Sequence, residues 1–479
     1  AASTKQGHCV RASTGAFMAG GPDTSIVVCN FGTHSVRIGF AGDAVPFYDE
    51  PSTVWAAPEA PGGPAAGGSR KRPRPTTGRR IFFAAGAAPA GCEITSPVKA
   101  GLVSDWDAAW AHIERALSRA DGEAAPPSAA AQAALAAPSS SLPSSSTSSS
   151  CPGGGSGGSL RRSALQGRRL LVVDNLLAPR AAREAWAEEA LAWRGAAGIS
   201  FIREPVAICF AHGFVSGLVI DIGASGCRVT PVEAGYPLVM AHRQSTVAGD
   251  FMDLATSVIT RSFVGKASTC PVDPASLLAT DASARALLDS ARSLREAAAD
   301  CCQPLLAGDG TFDLAKPPLV PKPVVVGPHR LSGEARARLG DVLFREDAPD
   351  TPASTAADES SSEFPALPPG AATIPMMVAA SLFACEESAR RACGEAVLLT
   401  GGVSRTGHCA DRLSWELAQP DALAAGLAVH LLPVPLSEVT HSPWMGGSII
   451  ASAGTLPDLF ISAKEWDSGD ASKLLARCI

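Results

Sequence analysis

Ser25-Ile26-Val27-Val28-Cys29-Asn30-Phe31-Gly32-Thr33 and Gly217-Leu218-Val219-Ile220-Asp221-Ile222-Gly223-Ala224-Ser225 are two copies of one design. Each is an apolar run of strand length that breaks at a polar residue into glycine and small residues, the pattern of a buried strand entering a tight turn. Glycine lets the backbone approach an anion, and successive turn amides form a concave donor site. Two such turns facing each other predict a clasp for a polyphosphate. The copies differ where a metal-bound water would be held: Asp221 is a carboxylate and Asn30 is not. That asymmetry bears on whether the site cuts its ligand or only holds it.

With 479 residues, 46% of them hydrophobic, the chain has room for two or more domains and a sizeable core. A net charge of -6 argues against binding nucleic acid by bulk electrostatics, though not against a local basic patch. No uninterrupted apolar run reaches the length of a membrane span, and the N-terminus lacks a signal-peptide pattern, so a soluble intracellular protein without a membrane partner is expected. The 13 cysteines form no C-x-x-C pair and no zinc spacing. Reduced, mostly buried thiols are expected, with Cys301 and Cys302 in the core.

Three stretches stand apart by composition. Residues 58–80 are rich in Pro, Gly and Ala and carry the basic cluster Arg70-Lys71-Arg72-Pro73-Arg74; residues 124–167 are almost entirely Ala, Ser, Gly and Pro; residues 348–370 are an acidic Ser/Pro segment. Such segments bury too little apolar surface to offset their ordering entropy and are expected to be mobile insertions. Between them strand and helix alternate. Residues 36–40 read as the return strand of a hairpin, 106–117 as a helix, 170–173 as a strand, and 179–191 as a helix opened by Pro179. A helix from Pro205 leads into the second glycine strand. Residues 284–301 read as a helix with Arg and Glu on its outer face, 396–399 as a buried strand, and 409–417 as a helix.

The C-terminal stretch carries the most specific pattern. Trp444-Met445-Gly446-Gly447-Ser448-Ile449-Ile450-Ala451-Ser452 is followed by Phe460-Ile461-Ser462-Ala463-Lys464-Glu465-Trp466 and then Arg477-Cys478-Ile479. In this order and spacing the chain resembles the actin family, whose members carry W-I-G-G-S-I-L-A-S, W-I-S-K-x-E-Y and R-K-C-F. Gly39-Phe40-Ala41-Gly42-Asp43, the block from Ser96-Pro97 to Trp106-Asp107, Thr400-Gly401-Gly402 and Ala410-Asp411-Arg412 fit the same family. The resemblance runs from about residue 24 to residue 479, with the three low-complexity segments inserted. It implies an α/β, two-lobed actin-like fold around a nucleotide cleft, the class shared with Hsp70 and hexokinase.

Carried over residue by residue, the resemblance places Asn30, Gly32, Thr33 and Arg37 on the first phosphate loop and Asp221, Gly223, Ala224 and Ser225 on the second. Gly401, Gly402 and Val403 fall on a third glycine turn near the adenosine. ATP with magnesium is the implied cofactor, Asp221 holding the metal indirectly through water. Tight hairpin geometry alone would also account for the glycines. The departures matter as much as the matches. Asn30 replaces the aspartate that organises the metal's water shell, Arg37 replaces a lysine, and Ala224 replaces a second aspartate. Glu204 stands where the family has the glutamine that orients the attacking water. Arg405-Thr406 and Ala291-Arg292 alter the adenosine side. One misplaced group can reduce a rate by roughly a hundredfold, so no catalytic residue is assigned, and feeble or absent ATP hydrolysis is expected with binding retained.

The resemblance also implies a division of the chain. Residues 24–50, 93–123, 168–211 and 442–479 would form subdomain 1, 51–92 subdomain 2, 212–247 and 371–441 subdomain 3, and 248–347 subdomain 4. Segments 124–167 and 348–370 would be disordered. Subdomain 2 is rewritten as a basic Pro/Gly-rich loop, which argues against filament formation. The Arg70 to Arg74 cluster reads as a solvated loop, an import signal or a phosphate contact. Gly32-Thr33-His34-Ser35-Val36-Arg37-Ile38-Gly39, the alanine in Asp221 to Ala224 and the spacing at Val247-Ala248-Gly249-Asp250-Phe251 lean toward the nuclear branch typified by actin-related protein 4. That branch implies a structural subunit of chromatin-remodelling and histone-acetyltransferase complexes in the nucleus. Its implied partners are a scaffold helix of the remodeller or acetyltransferase, actin or another actin-related protein, and nucleosomal histones or DNA through the complex. The helix would dock in a groove near residues 444–460, although Trp444 itself reads as core. The alternatives are an actin-related protein 7-like or cytoplasmic dynactin-type branch, or a cytoskeletal actin-like ATPase.

Overall fold

The first glycine turn closes a β-hairpin, and a sheet is built outward from it. The computed structural model describes residues 23–57, 79–83, 91–99, 101–122, 163–259, 282–344, 367–368, 371–423, 427–453, 457–468 and 477, the side chains of 282–287 excepted. Strand β1 (Asp23–Phe31) pairs antiparallel with β2 (Ser35–Ala41) and parallel with β4 (Arg169–Asp174). Strand β3 (Tyr48–Pro51) adds to β2, β5 (Gly198–Arg203) runs parallel to β4, and Ile461–Ser462 closes the far edge. The basic cluster at Arg70 to Arg74, all but the edges of the insertions at 58–80, 124–167 and 348–370, and the terminal Cys478-Ile479 lie outside the described residues.

The second glycine turn does the same in a second sheet. Strand β6 (Gly217–Ile222) pairs antiparallel with β7 (Cys227–Glu233) and parallel with β8 (Val397–Thr400). Every residue of β6 is buried, as expected of a strand with a parallel neighbour and both faces covered. In the first hairpin Asn30 lies opposite Arg37. In the second, Asp221 lies opposite Arg228. The two sheets are thus two versions of one unit, a glycine hairpin flanked by a parallel strand.

Helix α1 (Glu204–Ala211) carries the chain from β5 in the first sheet toward β6 in the second, and Pro205 sits in its first turn, where its missing N–H costs nothing. The C-terminal block forms α4 (Ser442–Ser452), which packs on α1. Here the glycine requirement is steric. A Cβ on Gly446 would lie 1.8 Å from the Ala207 carbonyl oxygen, so only glycine lets the two backbones approach this closely. In the first turn of the same helix, Trp444 is fully buried and its Nε1 donates to the Val28 carbonyl at 3.0 Å. The sequence reading of Trp444 as core holds. Phe460 is also interior, so neither end of the 444–460 stretch offers an aromatic to a partner groove.

Two other expectations change. The helix expected over 179–191 is α-helical only over Arg180–Ala187 and widens into a π-helical turn over Glu188–Trp193, where the Glu188 carboxylate accepts from Trp466 Nε1 at 3.2 Å. The expected helix at 284–301 is α3 (Ala282–Ala298), and two of its arginines, Arg292 and Arg295, do not face outward. Arg292 and Arg295 are buried and converge on Asp253 of α2 (Gly249–Ile259), with Nε to carboxylate distances of 2.8 and 2.6 Å. The buried carboxylate supplies the partner that a buried guanidinium requires. Among the described residues eight cysteines are buried and none forms a disulfide.

Replacing Gly446 with alanine should destabilise the protein by about 3 kcal/mol, the upper range for overpacking against fixed backbone. Chemical denaturation measures this, and a change below about 0.5 kcal/mol, the scale of a surface substitution, would contradict the α1–α4 contact as described.

Candidate functional site

The two hairpin turns have the same internal geometry. Gly32 N–H donates to the Ser35 carbonyl at 3.0 Å, and Gly223 N–H donates to the Gly226 carbonyl at 3.0 Å. Their tips meet, with Thr33 Oγ1 and Ser225 Oγ 2.9 Å apart. Behind the second turn the start of α2 is tied down by Gly249 N–H to Gly223 O at 3.1 Å and Asp250 N–H to Ala224 O at 2.8 Å. The third turn depends on Gly401, which has φ +91° and would bring a Cβ within 2.4 Å of the Ile222 carbonyl oxygen.

These turns line one cleft of about 530 Å³. All eleven residues singled out in the sequence, namely Asn30, Gly32, Thr33, Arg37, Asp221, Gly223, Ala224, Ser225, Gly401, Gly402 and Val403, fall on its wall. So do Glu204, Arg292, Arg405 and Thr406. Residues 376 apart along the chain, Asn30 and Thr406, are thereby brought to one surface.

Sequence reasoning missed Arg228. It follows Asp221 by the same seven residues that separate Arg37 from Asn30, and the matching hairpin registers put the two arginines at equivalent positions. Arg228 Nη1 stands 3.7 Å from Asp221 Oδ2 and 3.7 Å from Glu204 Oε2. Also missed was the contact of His34 in the first turn, whose Nδ1 accepts from Arg292 Nη1 at 2.5 Å. Arg292 is further held by Asp250 at 3.1 Å. Across the first hairpin, Arg37 Nε lies 3.5 Å from Asp49 Oδ1, and His441 Nε2 is 2.9 Å from Asp49 Oδ2.

The family question is decided by extent as well as geometry. A family model described as Actin matches residues 21–283 and 326–478. The chain belongs to the actin family. Within it, the chain is 30% identical to actin-related protein 4 of Emericella nidulans over 63% of its own length and 68% of that protein. It is 22% identical to actin-related protein 4 of Arabidopsis thaliana over 96% of its length and 100% of that protein. It is 24% identical to the SWI/SNF and RSC complexes subunit arp42 of Schizosaccharomyces pombe over 57% of its length and 68% of that protein. This actin-family chain sides with the actin-related protein 4 branch.

The actin-family nucleotide can be tested against the residues present. A polyphosphate fits: backbone turns from both lobes converge, the cleft opens in front of Gly402, where nothing lies within 4 Å of a Cβ position, and the buried Nε of Arg37 has no hydrogen-bond partner among the described groups. Magnesium held in the family's manner fits poorly. Asn30 and Ala224 bring no charge, Asp221 already faces Arg228, and among the described residues no cluster of three His, Cys, Asp or Glu side chains is arranged to hold a metal.

The charges in the cleft are strained against one another. Burial first, and then the Asp221 carboxylate, push Glu204 up to about 7, with Asp174 adding to the push and Arg228 and Arg37 opposing it. Burial raises Asp221 too, against Arg228, Arg37 and the Thr400 hydroxyl. A carboxyl group that binds its proton more tightly when folded gives stability on the acid side. That stability is lost as pH rises from the ordinary carboxylate range through about 7. Glu204→Gln removes the titration. The melting temperature of the variant should therefore match the parent near pH 5 and exceed it at pH 8, whereas a difference that does not vary with pH would contradict the raised Glu204.

Proposed function

We propose that the chain is a non-filamentous actin-related subunit of nuclear chromatin-remodelling or histone-acetyltransferase complexes, one that holds ATP between its lobes with little or no hydrolysis. The observation that carries the reading is the likeness to actin-related protein 4 and to a protein named as a SWI/SNF and RSC subunit, joined to a cleft altered at its catalytic positions. Hydrolysis needs a water placed in line with the terminal phosphate and charge spread as the bond breaks. Here the position that orients water in the family is Glu204, which faces Arg228, and the carboxylates at Asn30 and Ala224 are missing. Backbone amides and Arg37, which serve binding, remain.

In this reading the nucleotide joins the lobes as a structural ligand. The proposed partners are a long helix of the motor or scaffold subunit, with actin or a second actin-related protein beside it, and histones or DNA reached through the assembly. The fourfold division, with a basic subdomain 2 at 51–92, belongs to the same reading. Affinity purification of a tagged copy, with identification of the co-purifying subunits, tests it. Remodeller or acetyltransferase subunits together with actin are the expected companions, in nuclear extract. Exclusion from the nucleus with dynactin or filament components as companions would overturn it.

A further inference from the structure

The duplicated hairpins hold a duplicated cation. Arg37 and Arg228 occupy equivalent register positions and line the same cleft, one from each lobe. Arg228 lies between two carboxylates, Glu204 and Asp221, at 3.7 Å from each. Both separations exceed a hydrogen bond, and among the described residues the Arg228 guanidinium donates no side-chain hydrogen bond, its contacts being the two ion pairs, so its donors can turn to an incoming anion. The guanidinium is planar, carries five N–H donors, stays charged under all ordinary conditions and matches phosphate oxygens two at a time.

A divalent ion entering here would need the Asp221 and Glu204 carboxylates, which Arg228 already faces at 3.7 Å. Placing a second cation about 4 Å from Arg228 is repulsive, and more so in a partly buried cleft than in water. Asn30 and Ala224 offer no compensating charge on the other side. Burial also works against the charge of Arg37, its neighbouring carboxylates notwithstanding, a tension that a phosphate would relieve.

We propose that this cleft takes a nucleoside polyphosphate without a divalent cation, with Arg37 and Arg228 supplying from the two hairpins the positive charge that a metal supplies elsewhere. The inference rests on the reading that the cleft holds a nucleotide. Isothermal titration of the full-length chain with ATP, once in excess EDTA and once in magnesium, separates the two. Affinities that agree within about threefold are expected, since threefold is below 1 kcal/mol and hence below the worth of one charged hydrogen bond. Binding seen only with magnesium would overturn this inference and leave the nucleotide-holding reading in place. Absence of binding in both buffers would overturn both.

Arg228→Gln gives a second test, with circular dichroism reporting whether it folds. Removing the cation should weaken binding in EDTA by about tenfold or more, the scale of a lost charged hydrogen bond. Magnesium should restore part of the loss, because Asp221 and Glu204 are then open to it. A variant that binds in EDTA as tightly as the parent would contradict the role given to Arg228.

Discussion

The close approach of Gly446 to the Ala207 carbonyl is the constraint on which the rest of the fold depends. A Cβ there would sit 1.8 Å from the oxygen, so α1 and α4 are held backbone to backbone with no slack to slide. Trp444, in the first turn of α4, anchors the same helix to β1, one of the two central strands of the first sheet, through Val28. Helix α1 is the link from the first sheet to the second, and its first residue is Glu204. Fixing α1 therefore fixes where Glu204 stands relative to Asp221, and with it the charge pattern of the cleft. A packing constraint between two helices thus bears on the charge pattern of the cleft.

The cleft is joined across its lobes by the chain's own polar groups. Thr33 meets Ser225 at the tips, and His34 accepts from Arg292, which is itself held by Asp250 and Asp253. Buried ion pairs of this kind contribute less net stability than their Coulomb attraction suggests, because desolvation opposes it. Breaking one is costly, since it leaves a buried charge alone. The arrangement therefore favours one geometry of the two hairpins over others. It suits a site that positions an anion between the two hairpins.

Much of this was legible in the sequence. The two glycine strands, the hairpin return at Arg37 and the third glycine turn sit where local pattern placed them, because each rests on a short-range rule of turn geometry; the Trp444 block was legible through the family resemblance. The buried arginines were not. Charge on a helix is ordinarily a sign of the solvent face, and only the tertiary position of Asp253 makes Arg292 and Arg295 interior. The widening at Glu188–Trp193 likewise depends on packing from residues distant in sequence, Trp466 among them. Arg228 was within reach of sequence reading: the seven-residue interval from Asn30 to Arg37 recurs from Asp221 to Arg228, and a comparison of the two copies beyond their glycines would have found it.

The central claim is that the cleft retains its ligand uncut. Loading the purified full-length chain with ATP, removing the excess and analysing the bound nucleotide by chromatography after several hours tests this directly. The account predicts that the bound material is still ATP, close to one per chain. Conversion of the bound ATP to ADP over the same period would contradict it.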